Sequence, residues 1–307
     1  MAGKPVILIA GPSAGGKSAL ALEVALALGG WIVNADSMQI YSELSILTAR
    51  PGIEAEAAVP HRLYGVVSGK ERFSVGAWLA RAEAEISAAW AARAVPIVVG
   101  GTGLYFEALT QGLAVIPQVP VDICEKWRRF AAASRPETLY AELEVQDPQM
   151  AQKLSPGDSQ RIVRALEVID ATGRSLAEWQ RDTPRPPLIS AAAVRRIVVA
   201  PDRQAIYART DARVGEMVDR GAIAEVGALL ALNLIPDAPV MKAIGVPELG
   251  AHLRGELELG DALEQMRTQT RRYAKRQLTW IRGRMADWHH VGSHAQGLAR
   301  LCPDIRT

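Results

Sequence analysis

The sequence predicts an α/β fold: a parallel sheet flanked by helices on both faces, with an inserted helical domain. Three observations predict it. The short apolar runs "VILIA" (6–10), "WIVNA" (31–35) and "VPIVV" (95–99) have the look of strands buried on both faces. Sequence of helical composition separates them, and strand–helix–strand alternation implies parallel pairing, with sites at the C-terminal ends of the strands. From 117 the pattern turns charge-rich and helical between two Pro-rich breaks, before "VRRIVVA" (194–200) returns as a strand.

In chain order, "VILIA" runs into "GPSAGGKS" (11–18), which fits G-x-x-x-x-G-K-[ST]. "SALALEVALAL" follows with helical composition and stops at Gly29–Gly30. "WIVNA" delivers Asp36 at its C-terminal end, and residues 75–93 read as an Ala-rich amphipathic helix. "VPIVV" opens into "GGTGLY" (100–105). The breaks "IPQVPVD" and "DTPRPPL" bound the insertion. The expected domains are therefore a phosphate-binding core, 1–116 with 188–307, and a helical insertion, 117–187. Residues 203–284 read as helical, interrupted by the loop "NLIPDAPVMKAIGVPEL", and the tail after Trp288 carries no pattern.

Composition excludes several classes. Of 307 residues, 49% are hydrophobic and 22% charged, ordinary for a globular chain. No run approaches the roughly 18 apolar residues of a membrane span. The N-terminus enters a strand-like run without a cleavage-site pattern, so no secretory signal is expected. Cys124 and Cys302 lie far apart and make no metal pattern, which fits a reducing cytoplasm. The histidines of "HRLYG" (61–65) and "WHH" (288–290) have no acid or cysteine at ligand spacing, so surface or core roles are expected. Net charge is only +2, but from Gln265 to Ala286 seven Arg or Lys residues occur with no acid. That block reads either as a solvated helix face or as a surface for a phosphate backbone.

The loop at 11–18 carries the strongest chemistry, because a strand precedes it and a helix follows. Backbone N–H groups and the helix N-terminus would cradle linked phosphates. Lys17 would supply a full charge, and the Ser18 hydroxyl a ligand for Mg²⁺. An NTPase usually places its second magnesium anchor on an Asp at a strand end. Here "VPIVV" ends in Gly100–Gly101, and the strand-end acid is Asp36. Asp36 reads as an acceptor-side base, or as a helix N-cap or turn former, which "DSMQ" would allow. "GGTGLY" reads as a tight turn, or as glycines admitting a ligand to the backbone with the Thr102 hydroxyl in the site.

Further along, "NADSMQIY", "LTARP", "PHRLYG", "GGTGLYFEAL", "QRIVRALEV", "MKAIGVPEL" and "RRYAKRQLTW" follow "GPSAGGKS" in order. Together these segments resemble the bacterial tRNA dimethylallyltransferases, also called tRNA isopentenyltransferases, from about residue 5 to 284. The last is the most diagnostic. The chain departs from the family pattern at Ser13 (commonly Thr), Gly15 (commonly Ser), "LTARP", Arg62 and Val246, none of which touches Lys17, Asp36 or Thr102. The zinc-finger extension of eukaryotic relatives is not seen.

The resemblance implies a P-loop NTPase-like core acting on dimethylallyl diphosphate and a tRNA anticodon stem-loop, with Mg²⁺. N6 of an adenosine 3′ of the anticodon, in tRNAs reading codons that begin with U, would attack the prenyl carbon as diphosphate leaves. Gly11, Pro12, Ser13, Ala14, Gly15, Gly16, Lys17 and Ser18 would hold the diphosphate, joined by Arg213 in "DARVGEM". Asp36 would take the amine proton, and Thr102 would orient the departing oxygen or the amine. Asp36, Ser37, Met38 and Gln39 would face the RNA, as would Gln160, Arg161, Ile162, Val163 and Arg164. Arg272 and Arg276, at i, i+4 spacing, would contact phosphates. A cytoplasmic monomer is expected. The rival readings are a P-loop small-molecule kinase, a non-catalytic ATP-responsive RNA-binding protein, and an isopentenyltransferase acting on free adenine nucleotides.

Overall fold

The computed structural model describes residues 4–182, 186–189 and 194–303, so residues 183–185 of the second Pro-rich break lie outside the described residues. The chain forms two compact units, Met1–Thr110 with Leu188–Thr307, and Gln111–Pro187.

In the first unit β1 (Val6–Ala10), β2 (Gly30–Asn34), β3 (His61–Arg62), β4 (Val95–Gly100), β5 (Val194–Val199) and β6 (His289–Val291) form one sheet, ordered β3-β2-β4-β1-β5-β6. Every pairing is parallel. β1 lies between β4 and β5, so both its edges are paired, and all five of its residues are buried, so both its faces are covered as well. That is why a run of β-branched and aliphatic residues without alternation makes a strand here.

Between the strands run α1 (Lys17–Leu28), α2 (Ile53–Ala58), α3 (Val75–Ala91) and α4 (Gly103–Gln111). α1 buries Leu20, Ala21, Val24 and Ala25 and ends at Gly29, whose φ of 60° lets its N–H reach the Ala25 carbonyl. The second unit is built from α5 (Val121–Ala133), α6 (Pro136–Gln146), α7 (Pro148–Ala151), α8 (Ser159–Thr172) and α9 (Leu176–Asp182) around its own core, including Trp127, Leu143, Ile162 and Leu166. After β5 the first unit resumes with α10 (Arg203–Asp219), α11 (Ala222–Ala231), α12 (Val246–Leu253), α13 (Leu259–Arg284) and α14 (His294–Leu301).

Beyond Trp288 the described residues form a strand, β6, and a helix, α14. β6 pairs with β5 at the sheet edge, and α14 packs on α1, where Gly297 leaves room for Leu20; a Cβ there would stand 2.5 Å from a Leu20 methyl. An exposed three-residue edge strand has no periodicity to read, which is why the sequence there looks featureless.

Candidate active site

The phosphate loop leaves β1 at its C-terminal end and turns into α1. A Cβ on Gly11 would stand 2.4 Å from the Val199 carbonyl oxygen, so only glycine lets the loop pass over β5. Ala14 (φ 60°) and Gly16 (φ 91°) adopt left-handed conformations, and Gly15 N–H donates to the Pro12 carbonyl at 3.1 Å. Lys17 opens α1, and its ammonium donates to the Pro12 carbonyl at 3.2 Å. Burial pulls its pKa down from 10.5 to about 8; Asp36 opposes that shift and Arg213 adds to it. Ser18 is exposed on the first turn. On α10, Arg213 lies one turn after Arg209, whose Nη1 is 3.9 Å from the Cβ position on Gly16. Nothing in the sequence marks Arg209 as part of the loop's surroundings, because its neighbour lies 193 positions away.

Asp36 stands just beyond β2, fixed from behind by Asn34. The fully buried Asn34 accepts Asp36 N–H at 2.8 Å and donates to the carbonyls of Asp36 and Leu63, both at 3.0 Å. Asp36 Oδ1 accepts the Met38 N–H at 3.0 Å, so the turn-forming role occupies one carboxylate oxygen and leaves Oδ2 for chemistry. Three tyrosines surround this carboxylate. Tyr64, Tyr105 and Tyr273 have hydroxyl pKa values raised above the ordinary 10, first by burial and next by the charge of Asp36. The Thr102 hydroxyl accepts the Ser37 N–H at 2.9 Å.

Ser13 of the loop, Asp36, Tyr273 and Arg213 share a cavity of about 250 Å³, whose lining does not include Lys17, Ser18 or Thr102. Ser13, Asp36, Ser37, Arg213, Lys242 and Arg276 supply its polar lining, and Leu47, Val214, Met217, Ile244 and Met266 its apolar lining. Leu47 is held there by Glu225, whose carboxylate accepts the N–H groups of Ser45, Ile46 and Leu47 at 2.6, 2.8 and 2.9 Å. An apolar pocket beside an anion-binding loop suits a ligand with a phosphorylated end and a short hydrocarbon end.

α13 closes over the loops. Gln277, 6% exposed, accepts Ser13 N–H at 2.8 Å and donates to the Gly101 carbonyl at 3.0 Å. A Cβ on Gly101 would lie 2.1 Å from Gln277 Nε2, one on Gly103 2.1 Å from Trp280 Nε1, and one on Gly100 2.0 Å from the Ala35 carbonyl. The glycines of "GGTGLY" therefore admit neighbouring protein, which corrects the expectation that they admit a ligand. Ser13 likewise spends its backbone N–H on Gln277 and keeps only its side chain for the cavity.

The basic block on α13 divides in two. Arg267, Arg271 and Arg284 find acids elsewhere in the chain: Glu264 for Arg267, Glu264 and Asp211 for Arg271, and Glu107 for Arg284. Arg272, Lys275, Arg276 and Arg282 are exposed and form no ion pair among the described residues. Of these, Arg276 lies over the Tyr273 ring, 5.5 Å from its centroid.

The other residues expected at the RNA separate by burial. Ser37 and Met38 line the cavity. Gln39 donates to the carbonyls of Thr48 and Ala49 at 2.8 and 3.1 Å, so its N–H groups serve that loop and not a ligand. Gln160, Arg161, Ile162, Val163 and Arg164 lie on α8 in the second unit. Gln160 and Arg161 are exposed, and Arg164 pairs with Glu167 at 3.4 Å. Ile162 is 0% exposed and belongs to that unit's core, with Val163 packed against it. This corrects the assignment of the Ile162 side chain to an RNA surface, because a fully buried side chain has no face to offer; Val163 is only partly buried.

An anion-binding loop at the C-terminal end of a central parallel strand, with Ser13 in one cavity with a strand-end carboxylate, defines a group-transfer enzyme of the P-loop class. The family model described as IPP transferase matches residues 39–284, and the one described as isopentenyl transferase matches 4–70. The chain is 51% identical over 286 residues to a tRNA dimethylallyltransferase of Azorhizobium caulinodans, covering 93% of this chain and 91% of that one. It is 53% identical over 286 residues to one of Rhizobium etli, covering 93% and 96%. Among solved structures, a tRNA isopentenylpyrophosphate transferase of Bacillus halodurans superposes with a TM-score of 0.68 at 29% identity, covering 97% and 95%. A eukaryotic dimethylallyltransferase acting on tRNA superposes with a TM-score of 0.81 at 26% identity, covering 98% of this chain and 77% of that one. The chain belongs to the IPP transferase family, that of the tRNA dimethylallyltransferases. That membership sets aside the small-molecule kinase and the non-catalytic RNA-binding readings.

Proposed function

We propose that this chain transfers the dimethylallyl group of dimethylallyl diphosphate to N6 of the adenosine 3′-adjacent to the anticodon, in tRNAs reading codons that begin with U. One observation carries the reading: Ser13 and Arg213, the Asp36 carboxylate, and the apolar side chains of Leu47, Met217 and Met266 line a single cavity. A phosphoryl acceptor would need no such apolar wall. A five-carbon prenyl group does.

The N6 nitrogen forms a bond to the prenyl C1 as the bond from C1 to the diphosphate oxygen breaks. The N6 proton passes to Asp36, and the electron pair of the broken bond leaves with diphosphate. Asp36 fits the base role because one oxygen is free of its turn and the carboxylate stands at the cavity. Lys17, Arg213 and the loop amides meet the charge growing on the leaving oxygen, where a water-poor site makes them effective. Thr102 acts through Ser37, fixing the backbone beside Asp36.

Among the described residues, no group of three or more His, Cys, Asp or Glu could hold a metal ion by itself. The Ser18 hydroxyl together with diphosphate oxygens is a hard-oxygen donor set, which suits Mg²⁺ retaining its own waters. Bound there, Mg²⁺ would supply further neutralisation of the leaving diphosphate.

The acceptor base must leave its stack to reach a cavity, as in other enzymes that act on a base. The exposed cations Arg272, Lys275, Arg276 and Arg282 suit backbone phosphates. Gln160, Arg161 and Arg164 on α8 offer polar contacts to the anticodon stem-loop. No described helix is long and apolar enough to cross a membrane. A tRNA substrate is consistent with a cytoplasmic reaction. A monomer completes the reading.

The test is to incubate the protein with bulk tRNA and dimethylallyl diphosphate, digest the RNA and analyse nucleoside masses. Adenosine gaining the mass of one dimethylallyl group in place of a hydrogen supports the reading. Unmodified tRNA, or phosphoryl transfer from labelled ATP in its place, contradicts it.

A further inference from the structure

We infer that Gln277 is a positioning residue that sets the distance and angle between the leaving-group cradle and the strand end presenting Asp36. The inference rests on the prenyl-transfer reading and assigns a task to a side chain outside both substrate-binding sets.

A buried primary amide has two donors and an acceptor to satisfy, so its orientation is fixed by what it meets. Gln277 meets two loops at once. Its Oε1 takes Ser13 N–H of the phosphate loop at 2.8 Å, and its Nε2 gives to the Gly101 carbonyl at 3.0 Å. From Gly101 the connection continues through the next residue. Thr102 N–H donates to the Ala35 carbonyl at 3.1 Å, and Thr102 Oγ1 accepts Ser37 N–H at 2.9 Å. Those two bonds bracket Asp36. One side chain therefore stands between the segment that holds the diphosphate and the segment that holds the base.

The surroundings are shaped for this contact. Gly101 has no side chain where Gln277 sits, since a Cβ would come within 2.1 Å of Nε2. Ser13 has given up a backbone donor that a phosphate-binding loop could otherwise aim at its ligand. A displacement at carbon requires the nucleophile, C1 and the leaving oxygen to lie in line. The relative placement of the two loops then matters more for the rate than the occupancy of either. A misplacement on the order of 1 Å can cost about 10²-fold.

The variant Gln277→Met keeps length and volume but offers neither hydrogen bond. The experiment compares it with wild type in single-turnover prenyl transfer, with saturating dimethylallyl diphosphate and tRNA, per folded molecule below the unfolding temperature. The expected result is a rate at least about 10-fold lower, with the Kd for tRNA within about twofold of wild type. Gln277→Glu, which can still accept from Ser13 but puts a carboxylate oxygen against the Gly101 carbonyl, is expected to lose at least as much. Gly101→Ala probes the same contact from the other side and should move the rate in the same direction, which covers the case where a Gln277 variant does not fold. A fall in Tm with the saturated rate within about twofold of wild type would reduce Gln277 to a fold staple and overturn the inference. Wild-type protein that transfers no prenyl group at all would overturn the functional reading itself, and this inference with it.

Discussion

The Thr102 hydroxyl accepts the backbone N–H of Ser37 at 2.9 Å, across 65 positions of sequence. It thereby anchors the residue after Asp36, while Asn34 anchors Asp36 itself. Thr102→Val keeps the shape and removes the acceptor, whereas Thr102→Ser keeps the acceptor. Prenyl transfer at saturating substrates should fall at least about 10-fold in the valine variant and much less in the serine variant, the scale of a lost orienting contact. Equal rates in the two would mean that the hydroxyl does not orient Asp36.

Lys17 sets a pH limit. Burial lowers its pKa to about 8 in the free protein, so its charge is present below that pH and lost above it. The value of kcat/KM for the prenyl diphosphate reports the free enzyme and should fall as pH rises through about 8. With an anionic substrate bound, the charged form is favoured and kcat should hold to higher pH. Steady-state rates across this range decide it; a kcat/KM that stays flat above pH 8 would contradict the placement of Lys17 at the diphosphate.

The α13 cations make a graded prediction. Arg272 and Arg276 form no ion pair among the described residues, whereas Arg271 is held by Asp211 and Glu264. Replacing Arg272 and Arg276 with Gln should reduce the slope of log K against log salt for tRNA binding by roughly 1–2, as expected for two lost phosphate contacts. Arg271→Gln should leave that slope nearly unchanged. Equal effects would mean that ion pairing within the protein does not decide which arginines meet RNA.

The sheet was legible because its strands are buried on both faces, so runs such as "VILIA" and "VPIVV" carry no competing pattern. The loop at 11–18 was legible because its residue types are dictated locally by a turn that must aim N–H groups at an anion. Contacts between distant segments were not. Glu225 reaches Ser45 across 180 positions, and Gln277 reaches Ser13 across 264. Neither residue type nor spacing signals such a partner. Gln277 also stands inside a basic stretch whose charge draws attention to its neighbours. β6 and α14 escaped notice because one is short and exposed, and the other depends on a close approach of Gly297 to Leu20 that only packing reveals.

Asp36 carries the central claim, that a carboxylate with one oxygen committed to a turn uses the other to take the N6 proton. Asp36→Asn separates these tasks, because Asn can still accept the Met38 N–H but is no base at neutral pH. The decisive measurement is single-turnover prenyl transfer to tRNA at saturating substrates, wild type against Asp36→Asn, at low and high Mg²⁺. The account predicts a rate lower by about 10²–10⁴-fold, the range for losing a general base, that extra Mg²⁺ does not restore. A rate within about threefold of wild type, far short of the base-catalysis range, or a loss largely recovered by Mg²⁺, would contradict it.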